Sequence, residues 1–203
     1  MSSGDFTIGA CIACGLAYMG AMTKLDKFGA LPPEHCVPDV LAPGLKVVFC
    51  GTAMGRVSAE RRAYYANPGN FFWRTLANTG LTPAPVAPQD FIQVLDYGIG
   101  LTDLCKLHFG NDAELPSDAL DAKALRDKIL LYQPWILAFT SKTGAGAFLD
   151  RPTSDIPLGL QRETIDRTQI WVLPSPSGQA RIFWNQTIWQ DLADTVKALA
   201  AQG

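Results

Sequence analysis

Residues 41–73 read LAPGLKVVFCGTAMGRVSAERRAYYANPGNFFW. The stretch begins with a short apolar run over 45–50, with Pro43-Gly44 before it and Gly51 after it. An apolar run of that length between turn signals reads as a fully buried strand. The strand empties into a glycine-bracketed turn, Gly51-Thr-Ala-Met-Gly55. Past the turn stand Arg56, Arg61 and Arg62, the adjacent pair Tyr64 and Tyr65, and a Pro68-Gly69 turn. In open α/β sheets, ligands bind just beyond the carboxyl ends of the strands. Small backbone, positive charge and aromatic faces therefore gather close to one strand end.

Outward from this stretch the chain alternates. A helix is expected over 70–79, with Asn70 as N-cap, Gly80 as stop, and Phe72, Trp73 and Leu76 on its core face. Pro83, Pro85 and Pro88 stiffen the connection to a short helix over 89–97, whose first turn suits Pro88. A turn and strand follow over 98–102, then a polar loop over 103–116. Asp118 and Asp121 resemble a capping arrangement for a helix over 119–131, with Ala122, Leu125 and Ile129 as its buried stripe. A second apolar run over 135–140 is the next strand, and a glycine-containing turn and helix follow over 141–148. Residues 151–167 read as irregular, with room for an edge strand. The third strand, 169–173, empties into Pro174-Ser-Pro-Ser-Gly-Gln-Ala-Arg181. A last helix over 185–200 carries Ile188, Leu192, Val196 and Leu199 on one face. Strands alternating with helices imply one α/β domain with a mostly parallel sheet covered on both faces. The strand ends at Cys50, Thr102, Thr140 and Leu173 then open onto one edge, and their loops form one cleft.

A length of 203 residues suits a single domain with a sizeable core. The 17 basic and 19 acidic residues leave a net charge of −2, which does not advertise a nucleic-acid partner. Clustered arginines can still bind one locally. The cysteines, Cys11, Cys14, Cys36, Cys50 and Cys105, are odd in number and scattered, as in a reducing cytosol. Cys11-Ile-Ala-Cys14 with Cys36 could begin a metal site, but no second C-x-x-C follows, and no metal is expected. No apolar stretch approaches the roughly 18 residues of a membrane helix. Residues 8–22 are uncharged but too short, and Asp5 is the only charge before them, unlike a secretory signal. Residues 1–38 read as an irregular lead-in with Pro32, Pro33 and Pro38, and Met22 would make a sensible first residue. The domain proper is placed at 39–203.

Three segments carry a resemblance. The first is APGLKVVFCG, the G-x-x-x-G turn, and a block A-N-P-G-N-F-F-W that begins fifteen residues past Gly51. The second is LDYGIGLT over 95–102, and the third is IWVLPSPSGQAR over 170–181. In this order and spacing they resemble the mismatch-specific uracil/thymine-DNA glycosylase branch of the uracil-DNA glycosylase superfamily. That family's pattern is a strand ending in F-C-G, then G-I-N-P-G, P-x-N-x-F-W, L-D-Y-x-x-G-[VIL]-T and I-W-V-L-P-N-P-S-G-x-x-R. The likeness spans roughly four-fifths of the chain, from about residue 39 onward. It implies a three-layer α/β/α sandwich. It implies a monofunctional, cofactor-free enzyme that flips uracil out of DNA and hydrolyses its N-glycosidic bond, leaving an abasic site, and a monomer is expected. A cytoplasmic location, on the nucleoid in a bacterium, goes with that activity.

The resemblance also assigns positions. Tyr65 matches the aromatic residue that stacks on the flipped pyrimidine. Gly51 lets the backbone approach the base, and Thr52, Ala53 and the Tyr65 backbone present amides to its carbonyls. Asn70 stands in the P-x-N-x-F-W element and joins the base-binding set. Ser58 falls where the family has a serine near the reacting sugar. Ala53 departs from the pattern, because the family places there an asparagine that positions the attacking water. Asp103, a carboxylate at a strand end facing the same cleft, is the leading substitute. His108, in the same loop, could bond the pyrimidine or a phosphate. Ser175, Pro176, Ser177, Gly178, Gln179 and Arg181 resemble the family's DNA wedge, with Gln179 at its tip and Arg181 on a phosphate. Ser175 stands where asparagine is usual. Arg56, Arg61, Arg62 and Lys142 would add phosphate contacts. Excision of a deaminated purine such as hypoxanthine or xanthine, and lesion binding with little catalysis, remain open alternatives. A nucleotide-binding module is disfavoured, because no P-loop lysine follows Gly55.

Overall fold

The computed structural model describes residues 37–116 and 118–202. The lead-in up to residue 36, with the metal reading of Cys11, Cys14 and Cys36, lies outside the described residues. Strand β1 (Val47–Gly51) is buried at every position and sits inside a five-stranded sheet. Strand β2 (Ile99–Asp103) flanks it on one side and β3 (Ile136–Phe139) on the other, both parallel to it. Strand β5 (Thr168–Val172) continues the parallel set beside β3. Strand β4 (Gly159–Ile165) closes that edge antiparallel to β5, in the segment read as irregular with room for an edge strand. The order is β2-β1-β3-β5-β4.

Alternation along each strand divides the core into two layers. Val47, Phe49, Leu101, Ile136 and Trp171 point to one face, where helix α2 (Phe72–Asn78) and helix α5 (Gln186–Ala200) pack. Val48, Cys50, Leu137, Phe139 and Val172 point to the other, against α3 (Ala122–Tyr132) and α4 (Lys142–Leu149). On the first face Phe49 stacks on Trp189 at 5.6 Å and meets Phe72 edge-on at 5.2 Å. Burying a side chain of that size contributes about 1.5–3 kcal/mol, so these rings anchor both helices to β1.

The helices depart from expectation at their ends. Asn70 is not the N-cap of α2, which begins two residues later. Its Oδ1 instead accepts from Phe72 N at 2.9 Å, a local turn that competes with the helix itself. Asp121 alone caps α3, accepting from Ala124 N, so that helix runs Ala122–Tyr132 rather than 119–131. The helix read over 89–97 is a 3-10 segment, Pro88–Tyr97, with Asp90 out of helical geometry and Gly98 closing it in the left-handed region. On α5 the buried positions are Trp189, Leu192, Ala193 and Val196, and Ile188 and Leu199 flank them half-buried. Among the described residues, no helix is long and apolar enough to cross a membrane.

Candidate active site

Gly51 and Asp103 are register partners at the last rung between β1 and β2, so their side-chain directions share a face. A Cβ on Gly51 would overlap the Asp103 carboxylate oxygen Oδ1 and stand 3.7 Å from the Tyr65 hydroxyl. Glycine at this rung is therefore what lets a carboxylate and a phenol lie together over the end of β1. Asp103 is 4% exposed, and its Oδ2 is buried with no hydrogen-bond partner among the described residues. Burial, the largest influence, raises its carboxyl to about 6, with Lys106 opposing and Asp39 adding to the rise. An unpaired buried carboxylate that still ionises near neutrality is suited to charge stabilisation or proton transfer.

Tyr65 reaches this point from an unusual backbone. Its φ is 51°, in the left-handed region, which costs a residue of this size about 1–3 kcal/mol. Two side chains of α1 (Arg56–Arg61) hold the turn on both sides of the next residue. Ser58 Oγ accepts from Ala66 N at 3.0 Å, and Arg61 Nη1 donates to Ala66 O at 3.1 Å. Ser58 is thus buried and engaged in positioning the Tyr65 turn. Phe72 stacks on the Tyr65 ring at 3.8 Å, and the Tyr65 hydroxyl lies 3.4 Å from Thr140 Oγ1. Burial first and Asp103 second push the phenol well above its ordinary range, so it stays neutral.

From the sequence, Thr140 was placed only as a strand end, and neither it nor Ser141 was given a part in the site. Thr140 donates to Cys50 O at 3.3 Å, and Ser141 Oγ meets Thr52 Oγ1 at 2.8 Å. Ser141 also caps α4, accepting from Gly144 N, which places Lys142 at the first turn of that helix, half-buried. Residues 104–110 run beside the Gly51–Gly55 turn: Leu104 N, Cys105 N and Gly110 N donate to the carbonyls of Gly51, Thr52 and Met54. His108 sits in that loop half-buried, its Nδ1 buried and without a hydrogen-bond partner among the described residues. Ala53 is half-buried between Thr52 and Met54.

The loop after β5 docks on residues 69–71, which follow the Tyr65 turn. Phe71 N donates to Pro176 O at 2.8 Å, and a Cβ on Gly178 would stand 3.0 Å from Gly69 O. Ser175 Oγ accepts from Ser177 N, and Ser177 Oγ accepts from Gln179 N, starting a 3-10 turn over Gly178–Phe183. Gln179 and Arg181 are exposed, and Arg181 lies over the Phe71 ring at 5.1 Å. Ile182 and Phe183 follow at 85% and 72% exposure, the apolar tip that sequence reading passed over. The three arginines of the first loop do not form one row. Arg56 leans over Phe109 at 5.5 Å, 4.0 Å from Glu114, Arg61 holds Ala66, and Arg62 caps α1 in the left-handed region. A cavity of about 290 Å³ beside β4, lined by Arg151, Gln161 and Arg162 among others, includes none of these residues.

An open, mostly parallel sheet with a buried carboxylate and an aromatic ring at the carboxyl ends of β1 and β2, flanked by a docked loop, defines an α/β fold with a composite site. The family model for the Uracil DNA glycosylase superfamily matches residues 38–193. The chain belongs to that superfamily. It is similar in fold to a candidate uracil DNA glycosylase from Methanosarcina acetivorans solved by solution NMR, with a TM-score of 0.57 and 21% identity. The match covers 79% of this chain and 96% of that one. Membership supports a DNA glycosylase acting on a DNA substrate.

Proposed function

We propose that this protein excises uracil from DNA, in the manner of the mismatch-specific branch of its superfamily, and leaves an abasic site for base-excision repair. The observation that carries this reading is the juxtaposition of the Asp103 carboxylate and the Tyr65 hydroxyl over Gly51, beside the docked loop 174–181. The target nucleotide is extruded from the duplex, and its base lies against Tyr65, which Phe72 backs from behind. Backbone amides of Thr52, Ala53 and Tyr65 take the charge that develops on the leaving base. Asp103, ionised, orients the attacking water and stabilises the oxocarbenium-like sugar, doing the work of the asparagine that Ala53 replaces. Asn70 and His108 border the base, and Ser58 acts through the turn it holds. Lys142, Arg56, Arg62 and Arg181 contact phosphates, and Gln179 faces the widowed partner base.

The test is base release from labelled duplexes carrying uracil, thymine opposite guanine, hypoxanthine or xanthine, read by alkaline cleavage at abasic sites. Uracil release, strongly reduced in Asp103→Asn while DNA binding persists, is the expected result. Release of hypoxanthine or xanthine alone would move the specificity to deaminated purines. Binding without release from any duplex would make the protein a lesion binder, the alternative that Ala53 keeps open.

A further inference from the structure

Asp39 lies beside the edge strand β2, where Val40 bridges Leu101. Thr102 Oγ1 donates to Asp39 Oδ1 at 2.8 Å, one residue before Asp103. Lys106, three residues after Asp103, places Nζ 2.9 Å from Asp39 Oδ1. The same ammonium donates to Val37 O and to Tyr64 Oη, both at 2.9 Å, so three acceptors meet its three N–H groups. Lys128, from α3 on the other layer, closes on Asp39 Oδ2 at 2.6 Å. The cluster thus ties the end of β2 to the Tyr64–Tyr65 turn on one face and to α3 on the other. Surface ion pairs contribute little, but these three side chains are only 20–28% exposed and share hydrogen bonds with backbone and phenol.

We propose that Asp39 and Lys106 are positioning residues for Asp103, holding the segment that carries it against the Tyr65 turn and, with Lys128, setting its charge. The proposal rests on the glycosylase reading for its consequence and on the cluster's geometry for its cause. The ionisable groups facing Asp103 come from six places: Asp39, Cys50 on β1, the Tyr64–Tyr65 turn, Cys105, whose thiol burial raises, Lys106, and Lys128 on α3. Burial first, and Asp103 among other charges, push Cys50, Tyr64 and Tyr65 well above their ordinary ranges, so these three stay neutral. The groups that remain charged act in opposite senses. Beyond burial, Lys106 and Lys128 draw the Asp103 carboxyl down and Asp39 pushes it up. For Asp39 burial is again the largest influence and raises it, but the two lysines outweigh burial and hold it below the ordinary range.

Opposite senses give a test that a purely structural cluster would fail. In the full-length chain, Lys106→Met, Lys128→Met and Asp39→Asn are compared by carbon NMR titration of the Asp103 carboxyl and by the acid limb of single-turnover base release. The two lysine variants are expected to move both readouts to higher pH, and Asp39→Asn to lower pH. Melting temperatures should fall in all three, least in Lys128→Met, which leaves the Lys106–Asp39 contact in place and so keeps one arm readable. Lower melting temperatures with an unmoved Asp103 titration, or movement of all three variants in one direction, overturn the proposal. The titration needs no substrate. A wild type that releases no base, yet shows the opposed shifts, sinks the glycosylase reading and leaves the charge assignment standing. An active wild type with unmoved titrations sinks the positioning alone.

Discussion

A carboxylate buried against Gly51 with one oxygen unpartnered is harder to charge than the same group in the unfolded chain. Folding moves the Asp103 carboxyl from the ordinary 3.8 to about 6. Above that value the folded state holds a charge it disfavours, so this group's stabilising contribution is complete below 3.8 and lost as pH rises through about 6. Each pH unit corresponds to about 1.4 kcal/mol, giving a penalty of about 3 kcal/mol at pH 8. Asp103→Asn is therefore expected to raise the melting temperature at pH 8 and to leave it little changed near pH 3.5, read by thermal denaturation. The same variant should lose about 100-fold to 1,000-fold in base release, as when one preorganised charge-stabilising group is removed. Gly51→Ala tests the geometry from the other side. Its methyl must displace the carboxylate, and release should fall by about 100-fold at unchanged DNA affinity. At this scale Asp103 was legible only through a gap, the alanine at position 53 where the resembling family carries an asparagine. Thr140 and Ser141 were not legible. Their partners, Tyr65 and Thr52, lie 75 and 89 residues away, and such bonds leave no local pattern in a sequence.

Two connecting segments, set around the β1–β2 rung that carries Gly51 and Asp103, give the site its shape. The Tyr65 turn is held by Ser58 and Arg61 through Ala66, and the loop after β5 leans on the segment that follows it, at Gly69 and Phe71. Strands β1 and β3 were readable as continuous apolar runs between turn signals, and β5 through the run Ile170-Trp-Val-Leu173 that stops at Pro174. Helix ends and the 3-10 geometry of Pro88–Tyr97 were not, since they depend on which backbone groups find side-chain partners, such as Asn70 Oδ1 with Phe72 N. The exposed tip of the second loop escaped notice for a different reason. Ile182 and Phe183 fall between the motif that ends at Arg181 and the helix pattern that starts at 185, and in the fold they end a 3-10 turn and are exposed. That exposure leads to a prediction for the element. Phe183→Ala should leave the melting temperature within the small range of surface substitutions, about 0.5 kcal/mol. If the ring stacks on a base in the opened duplex, the same change should weaken binding by about 1–3 kcal/mol, measured by fluorescence anisotropy with a non-cleavable uracil analogue. Unchanged affinity would return the wedge role to Gln179.

Over the whole molecule the charge is −2, so attraction to DNA cannot come from the global field. It must come from the few cations near the strand-end cleft, working against a mildly repulsive remainder. Arg56, Arg61, Arg62, Lys142 and Arg181 are the candidates, and the structure already engages some of them. Arg56 is 4.0 Å from Glu114, and Arg61 donates to Ala66 O. Each phosphate neutralised contributes about −0.9 to the slope of log affinity against log salt, so five cations set a ceiling of about −4.5. The measured slope is expected to be shallower than that, because Arg61 is committed to its own turn. Arg181→Ala should reduce its magnitude by about 1, with affinity falling alike for uracil-containing and undamaged duplexes. Glu114→Gln should act in the opposite sense. Freed from the carboxylate, Arg56 turns more readily to a phosphate, so affinity at low salt rises and the slope steepens. Equilibrium binding from 50 to 300 mM salt separates these cases, and a wild-type slope near −10 would mean that a larger basic surface than this cleft carries the contact.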